Sequence, residues 1–455
     1  MKLLSFSLVV ILSACDSAPV TIEPPANSPT NSSPKPKNII LLVGDGMGPA
    51  HIKAYRMFKD NPETAEEEKL VFDDYLVGSL STNSYDSKEN VTDSAASATA
   101  YATGKRTVNG ALSIDKNGNH YKTVLEQAKN IGLSTGLVAT SEIVHATPAA
   151  FASHQIDREQ KNNIADQYFD NQKDGSPMVD VMLGGGLNYF VRKDRNLLSE
   201  FIQAGYTVVD SKKELLKADS EKLIGLFAKE GLPKMWDRDS HTPSLAEMTQ
   251  VAIEQLSKNP KGFFLVVEGS QIDWAAHEND IVGVISEMAD FEAAMKTAVD
   301  FAKADGNTLV VATADHETGG LSIGSRWTGE DRYHWDVEVI RSFKYTPAKI
   351  TTEAQRSGNL VAEFHKATSL KLNEAEKQLL RESNLKSWDK TRRLVSEVIS
   401  KRSYTGWTTY GHTGVDVFLY ALGPGSESFR GHLDNTIVGQ NIFKLLEQKQ
   451  LSLAE

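Results

Sequence analysis

The sequence has 455 residues, of which 40% are hydrophobic and 24% are charged, so it is long enough to bury a large core. Its net charge of −11 argues against a general nucleic-acid binder and against binding to anionic membranes through overall charge. The sequence contains one cysteine, Cys15, which excludes an intrachain disulfide and a zinc site built from several thiolates.

The N-terminal residues have the pattern of a secretory signal. Lys2 precedes an apolar run over residues 3–12, which is too short to span a bilayer permanently. Residues 12–15 read Leu-Ser-Ala-Cys and resemble a bacterial lipobox. The resemblance implies a lipoprotein-type signal peptide over residues 1–15 and a lipid on Cys15. The lipid would anchor the protein to a bacterial membrane, facing the periplasm or the cell surface. A plain signal peptide with an incidental cysteine is the alternative.

Residues 16–37 are rich in Ser, Pro and Asn and are predicted to form a flexible linker. After them comes an uninterrupted apolar run at residues 38–43, which is typical of a strand buried on both faces. Asp45 follows this strand between two glycines, where its carboxylate can reach a ligand. As a single motif this is weak evidence, because many acids that follow strands only cap a helix.

Residues 91–100 contain one bulky aliphatic side chain, which is followed by a run of small side chains. They predict the first turns of a helix, with Asp93 as the N-cap and Ser94 in the first turn. Because free N–H groups and the helix dipole favour an anion there, the Ser94 hydroxyl is well placed to attack phosphorus and become a phosphoserine. Taken alone, the run also fits a buried helix rich in Ala and Ser.

Short apolar runs alternate with helical patterns along the rest of the chain. This alternation predicts an α/β fold with a large, mainly parallel central sheet and helices on both faces. In such sheets, ligands bind beyond the carboxyl ends of the strands. The other predicted strands lie at residues 135–140, 179–183, 222–227, 262–267, 308–312 and 415–422. Helical patterns lie, for example, at residues 122–131, 244–257 and 285–304.

Several residues suited to binding metal lie at the ends of these predicted strands. Glu268 directly follows one strand, and Thr147 lies shortly after another. Asp315 and His316 lie just beyond a third. Each alone fits a capped turn or a local hydrogen bond, but their joint placement at one edge of a sheet favours a metal site.

Asp273 and His277 form a further candidate pair. They are four residues apart, so on a helix they share one face and can bind the same metal ion. An Asp–His pair at this spacing more often makes a local hydrogen bond, and spacing alone leaves both interpretations open.

Taken together, these motifs resemble those of the alkaline phosphatases, which are metal-dependent phosphomonoesterases with a serine nucleophile. The similarity extends from residue 38 to about residue 324 and from about residue 406 nearly to the end. It implies small-molecule phosphate monoesters as substrates, with no nucleic-acid partner. The matching motifs are VGDGMG at residues 43–48, TDSAASATA at 92–100, ATPAA at 146–150, VEG at 267–269, ADHETGG at 314–320 and GHTG at 411–414.

The resemblance implies a role for each candidate residue. Ser94 is the nucleophile, and Arg158, eleven residues after Thr147, binds the phosphate through a bidentate fork. The implied cofactors are two zinc ions (Zn2+) and one magnesium-type ion (Mg2+), since zinc takes imidazole and carboxylate whereas an all-oxygen site suits magnesium. The implied ligand sets are Asp273, His277 and His412 for one zinc, Asp45, Asp315 and His316 for the other, and Asp45, Thr147 and Glu268 for magnesium.

Two further residues distinguish this chain from some bacterial enzymes that it resembles. His145 stands where those enzymes carry Asp, and Trp274 stands where they carry Lys, as in animal and some marine bacterial members. We expect His145 to approach the third metal site and Trp274 to face the phosphate pocket. A neutral imidazole in place of the acid should weaken magnesium binding at the third site and permit zinc there. Without the lysine cation, product phosphate should bind less tightly. The alternative is that both residues only pack.

The resemblance weakens over residues 325–404, which include helical patterns at residues 373–382 and 390–401. This segment is predicted to be a small inserted, crown-like region. It interrupts a core made of residues 38–324 and 405–455. We expect the insertion to cover the rim of the active site or a partner subunit, with the enzyme acting as a homodimer.

Two other functional classes were weighed against the monoesterase. One is a phosphodiesterase or sulfatase of the same superfamily. Sulfatases need a formylglycine precursor in a distinct motif that Ser94 lacks, and diesterases usually present threonine and lack the arginine. The other is a non-catalytic lipoprotein that binds metal or phosphate, which would require a missing nucleophile or ligand. None is missing here, so hydrolysis of phosphate monoesters is the prediction.

Overall fold

The structure, a computed structural model, describes residues 35–86, 88–329 and 332–454, with residues 452–454 as backbone only. The predicted signal peptide, Cys15 and all of the predicted linker before residue 35 lie outside the described residues. Within the described ranges, no helix combines the length and the apolar composition that crossing a membrane requires.

Ten strands of the described chain form one central sheet, and the others pair in small two-stranded sheets. The strands are β1 (Asn38–Gly44), β2 (Leu76–Ser81), β3 (Ser134–Glu142), β4 (Gln172–Lys173), β5 (Ser176–Pro177), β6 (Val181–Gly185), β7 (Thr207–Val209), β8 (Leu223–Leu226), β9 (Phe263–Gly269), β10 (Thr308–Ala314), β11 (Glu317–Thr318), β12 (Ser322–Ile323), β13 (Thr405–Gly406), β14 (His412–Thr413), β15 (Val417–Leu422) and β16 (Gly431–Asp434).

The α-helices of the described chain alternate with these strands, apart from a helical stretch between β12 and β13. They are α1 (Pro49–Lys59), α2 (Ser94–Thr103), α3 (Val124–Asn130), α4 (Ala146–Ala152), α5 (Lys161–Asp170), α6 (Leu187–Phe190), α7 (Leu197–Gln203), α8 (Lys212–Leu215), α9 (Leu245–Leu256), α10 (Gln271–His277), α11 (Ile281–Asp305), α12 (Val337–Arg341), α13 (Pro347–Ser357), α14 (Leu360–Ala367), α15 (Glu374–Arg381), α16 (Trp388–Ser403) and α17 (Thr436–Ala454).

The central sheet is mainly parallel, as the sequence predicts. Its strand order is β16-β2-β15-β10-β1-β9-β3-β6-β8-β7, and β15 runs against the other nine. Every residue of β1, β9 and β10 is buried, which agrees with their largely apolar sequences. The seven strands predicted from such runs all belong to this sheet, with ends shifted by up to two residues.

Two groups of helices pack against the sheet. Helices α9 and α11 pack against each other and against β9. Helices α2, α3, α4 and α17 form another group, and from it α3 and α4 also contact β9. The sheet therefore lies between two helical layers, and the mixed α/β class is confirmed.

The strand directions bring four chain segments to one edge of the sheet. Asp45 directly follows β1, Glu268 is the second-to-last residue of β9, and Asp315 directly follows β10. Helix α4, which carries Thr147, follows β3. Because β1 lies between β9 and β10, and β3 lies beside β9, these side chains converge beyond the carboxyl ends of neighbouring parallel strands.

Residues 325–404 contribute α12 to α16. Helix α16 packs against α12, α13 and α15, and the group reaches the core through contacts of α12 with α1 and of α16 with α11. Arg341 fixes this contact further, because its guanidinium donates to the backbone carbonyls of Phe58 and Asp60 at the end of α1. The predicted insertion is therefore a helical layer held against the core.

Candidate active site

The predicted nucleophile lies at the start of α2. Asp93 is the N-cap of this helix, and its carboxylate accepts a hydrogen bond of 2.9 Å from the backbone N–H of Ala96. Ser94 is the first residue of the helix and is buried. This is the arrangement predicted from residues 91–100, and it places the Ser94 hydroxyl where the helix dipole favours an anion.

Hydroxyl groups along α2 fix the helix against the end of β10. Ser97 donates to the carbonyl of Asp315 at 2.8 Å, and Tyr101 donates to the carbonyl of Ala314 at 2.6 Å. The Ser94 Oγ consequently lies 3.2 Å from the Nε2 atom of His316. The serine and the candidate ligands after β10 are therefore held as one unit.

One candidate ligand group consists of Asp273, His277 and His412. Asp273 and His277 share a face of α10, and His277 Nε2 lies 3.3 Å from Asp273 Oδ1 and 3.1 Å from His412 Nε2. The Nδ1 atom of His412 bonds the carbonyl of Thr92 at 2.8 Å, and that of His277 bonds the carbonyl of Tyr410. With Nδ1 donating in both rings, both Nε2 atoms are free to bind a metal.

A second group lies around His316, beside the serine. His316 Nε2 is 3.3 Å from Asp315 Oδ2 and 3.5 Å from Asp45 Oδ1. The side chains around His316 that lie close enough together to share one metal ion are Asp45, Asp273 and His316, so Asp273 stands where the prediction had Asp315 and lies between the first two groups. The structure thus brings together the residues predicted for both zinc sites.

The third group contains Asp45, His145 and Glu268. Glu268 accepts hydrogen bonds from the hydroxyls of Ser270, at 2.5 Å, and Ser141, at 3.3 Å, which orient one of its oxygens and leave the other free. His145 is the N-cap residue of α4 and immediately precedes the turn that carries Thr147. The sequence predicted that His145 would approach this site, and the structure places it there.

Burial and mutual repulsion affect the acids of this cluster strongly. Burial raises the pKa of Glu268 to about 7 and that of Asp315 to about 6. Burial, with the nearby carboxylates of Asp315 and Asp273, raises the pKa of Asp45 well above its usual range. Burial acts to lower the pKa of His277, but its hydrogen bond to Asp273 outweighs this and raises the pKa to about 9. Bound cations would stabilise the ionised form of these crowded carboxylates.

The buried atoms of these groups show where metal ions fit. Among the described residues, the following buried oxygens have no hydrogen-bond partner: both carboxylate oxygens of Asp45, Asp315 Oδ2, Glu268 Oε1 and Thr147 Oγ1. Uncompensated buried polar atoms are costly, so their concentration at one point indicates ligands. The first two groups offer imidazole and carboxylate, which zinc accepts, and the Thr147–Glu268 side is rich in oxygen, which suits magnesium.

Arg158 lies between the N-cap of α2 and the third group. Its Nη1 donates to Asp93 Oδ2 at 3.0 Å, and its Nη2 donates to His145 Nε2, also at 3.0 Å. Asp93 accepts a further hydrogen bond from the backbone of Gly110, so it is itself held in place. The guanidinium is thus oriented beside Ser94, as phosphate binding requires.

His145 and Trp274 pack against each other, with ring centroids 5.6 Å apart in an edge-on arrangement. Burial and the charge of Arg158 lower the pKa of His145 well below its usual value, so the ring stays neutral. Its Nδ1 atom is buried and has no partner among the described residues. Trp274 therefore contacts the side chain that joins Arg158 to the third group.

Sequence reasoning missed several residues that orient the ligands. Thr318 donates to Asp273 Oδ1 at 2.5 Å and lies 3.1 Å from His316 Nδ1, which links the first two groups. Gly46 has φ of +71°, and a Cβ there would lie 2.8 Å from Thr318 Oγ1, so glycine allows this close approach. Asp93 was expected only as a helix cap, although it also holds Arg158. For Thr318, the sequence signal that could have identified it is its position two residues after the predicted ligand His316.

Comparison with known proteins agrees with this site. A family model described as alkaline phosphatase matches residues 36–448. Alkaline phosphatase 3 of Bacillus subtilis is 51% identical over 416 residues, which cover 90% of this chain and 89% of that protein.

Solved structures of the same kind are also similar. The cold-active alkaline phosphatase of a psychrophilic Shewanella species is 40% identical, with a TM-score of 0.83, and the match covers 90% of this chain and 99% of that one. A variant of the alkaline phosphatase from the Antarctic bacterium TAB5, with a histidine replaced by glutamate and Mg bound in its M3 site, is 30% identical, with a TM-score of 0.67 and coverage of 91% and 99%.

The chain therefore belongs to the alkaline phosphatase family. Its predicted class, an alkaline phosphatase enzyme, is confirmed, and so is metal dependence as a family property. The phosphodiesterase, sulfatase and non-catalytic alternatives are not favoured.

Proposed function

We propose that this enzyme hydrolyses phosphate monoesters through a phosphoserine formed on Ser94, releasing an alcohol and inorganic phosphate. The observation that carries the proposal is the position of the Ser94 hydroxyl, 3.2 Å from His316 Nε2 and at the N-terminus of α2. A serine hydroxyl is a weak nucleophile at neutral pH, so it requires activation by a neighbouring group.

The chain's own residues divide the work between two sides of the phosphate. Ser94 and the His316 group lie on the side of attack. Arg158, oriented by Asp93, presents two N–H groups to the phosphate oxygens, which favours a dianionic monoester over a diester. For in-line displacement, the leaving oxygen must lie opposite Ser94, and we assign it to the side of His277 and His412.

We propose two zinc ions and one magnesium ion as the cofactors. Zinc would fit Asp273, His277 and His412, and a second zinc would fit Asp45, Asp315 and His316. Magnesium would fit Asp45, Thr147 and Glu268. When bound, such ions lower the pKa of a coordinated hydroxyl and stabilise developing negative charge on phosphate-ester oxygens.

The test of the proposed function compares a monoester with a diester of the same alcohol. Purified protein should hydrolyse p-nitrophenyl phosphate much faster than bis-p-nitrophenyl phosphate, with metal content measured on the same sample. A preference for the diester would show that Arg158 does not select dianionic substrates and would overturn the proposal.

We also propose that Cys15 is lipidated and that the mature enzyme is tethered to a bacterial membrane, facing the periplasm or outside. The support is the lipobox-like sequence at residues 12–15, next to the linker over residues 16–37. The Cys15→Ser variant should be released from the membrane fraction or remain unprocessed. A wild-type protein that is soluble and begins at another residue would contradict the proposal. The homodimer stays a prediction from the family resemblance.

We propose that His145 and Trp274 together weaken the binding of magnesium and of the product phosphate. An acid at 145 would add negative charge to the third group, and a lysine at 274 would add a cation beside the phosphate. In the TAB5 enzyme, the variant with Mg in its M3 site likewise carries glutamate in place of a histidine.

The double variant His145→Asp with Trp274→Lys should bind magnesium at least about tenfold more tightly than wild type does. It should also bind inorganic phosphate more tightly, and it should turn over more slowly under conditions in which product release limits the rate. His145→Asn, which adds no charge, is the matched control and should leave magnesium affinity unimproved. Unchanged phosphate inhibition and unchanged magnesium dependence in the double variant would show that the two residues only pack.

A further inference from the structure

A pocket of about 260 Å³ adjoins the first ligand group and takes no part in the chemistry described above. Glu278 and Tyr410 line it, and both connect it to His277: Glu278 is the next residue in the chain, and the Tyr410 carbonyl bonds His277 Nδ1. The proposed function assigns the leaving alcohol to the side of His277 and His412, and this pocket is a neighbouring space that the alcohol part of the substrate can reach.

The wall of the pocket comes largely from the inserted segment. Arg326 and Trp327 follow β12, and Arg393 lies on α16. Trp407 forms the base of the pocket, where its indole N–H donates to Ser400 Oγ on α16 at 3.1 Å. Residues of the segment 325–404 and of the loop that leads to His412 thus line one cavity.

The pocket combines aromatic rings with guanidinium groups. The Arg393 guanidinium carbon lies 4.2 Å from the ring centroid of Tyr410, and that of Arg326 lies 5.4 Å from the ring of Trp327. Tyr410 is 51% exposed and Trp327 36%, so these rings border open space. Stacking on a ring holds a guanidinium in place and leaves its N–H edge free to bind an anion.

The pocket wall carries two arginines and two glutamates, and both glutamates pair with cations that do not line the pocket. Glu278 is paired with Lys234 at 2.8 Å and with Arg392 at 3.0 Å, and Glu397 is paired with Lys401 at 2.5 Å. By contrast, neither Arg326 nor Arg393 forms an ion pair with any residue in the described part of the chain. In a protein with a net charge of −11, two such guanidiniums facing one pocket are a local site for an anion.

We propose that this pocket binds the alcohol part of the substrate and selects monoesters whose alcohol carries a second anionic group, such as a carboxylate or another phosphate. The proposal rests on the proposed function and deepens it, because it names the substrate class. Arg393 and Arg326 are specificity-determining residues that act on the leaving group and not on the transferred phosphate. The volume limits the alcohol to a small ring or a short chain.

The experiment compares phenyl phosphate with 4-carboxyphenyl phosphate by phosphate release, using the complete metal-loaded enzyme. Arg393→Gln should lower kcat/KM for the carboxylated ester by roughly 5- to 10-fold and change that for phenyl phosphate by less than about twofold. Each variant is compared with wild type on the same substrate, so the intrinsic reactivities of the two esters cancel. Arg326→Gln repeats the test from the opposite wall if Arg393→Gln does not fold.

Arg381→Gln is the matched control, because Arg381 lies on α15 in the same insertion but does not line this pocket. It should change kcat/KM by less than about twofold for both esters. Equal losses for the two esters in Arg393→Gln, or no loss for either, would overturn the pocket's role. A wild-type enzyme that hydrolyses neither ester would instead refute the proposed function, so the two failures are distinguishable.

Discussion

Ser94→Ala should lower kcat for p-nitrophenyl phosphate by about ten-thousandfold or more, the scale seen when a nucleophilic serine is removed from a hydrolase. The reason is that the Ser94 hydroxyl lies at the N-terminus of α2 and 3.2 Å from His316 Nε2. The measurement is steady-state turnover of metal-loaded wild type and variant. Metal content should be unchanged, because Ser94 is not among the ligand groups.

Ser97→Ala is the matched control on the same helix. It removes the hydroxyl that donates to the carbonyl of Asp315 and leaves Ser94 in place. The same hydroxyl oxygen accepts a hydrogen bond of 3.2 Å from Asn435 Nδ2, so the variant loses two hydrogen bonds, which should destabilise the fold by about 2 kcal/mol. Turnover should fall far less than it does in Ser94→Ala. Equal activities of the two variants would contradict a special role for Ser94.

Removing metal ions should abolish activity and lower thermal stability together. Without cations, Asp45 retains two buried carboxylate oxygens that have no partner among the described residues, and Asp315 and Glu268 each retain one. An ion present at a hundred times its Kd stabilises the native state by about 3 kcal/mol, so loss of several ions should lower Tm by several degrees. The measurement is a melting curve before and after exhaustive chelation, followed by re-addition of zinc and magnesium.

Ser94→Ala separates stability from activity in this experiment. The variant keeps every predicted ligand, so chelation should lower its Tm as much as that of wild type although it is inactive. A wild-type enzyme that retained full activity and an unchanged Tm with no detectable zinc, cobalt or magnesium would refute the metal assignment.

The centre of the fold was predictable from sequence because its strands are buried on both faces. The apolar runs of β1, β9 and β10 require a parallel sheet, and their ends indicated Asp45, Glu268 and Asp315. Strands β2, β7 and β16 were missed, since they lie at or near the sheet edges and are partly exposed. An exposed strand needs no apolar run, so hydrophobic patterning gives no signal for it.

The candidate site was only partly accessible from local patterns. The capped start of α2 and the shared face of Asp273 and His277 follow from local rules. His412 does not, because α12 to α16 separate it from His316 in the sequence, and it reaches the site through the pairing of β14 with β11. That pairing depends on tertiary folding, so only the family resemblance identified the residue. Trp407 and Arg393 had no sequence signal for the same reason.

The most direct test of the central claim is to trap the phosphoenzyme. Wild-type enzyme is mixed with radiolabelled phosphate ester, quenched in acid, digested and mapped by mass spectrometry. Phosphate on Ser94, absent from Ser94→Ala, is the result that we predict. Phosphate on another residue, or a wild type that turns over without any trapped phosphoserine, would contradict the account.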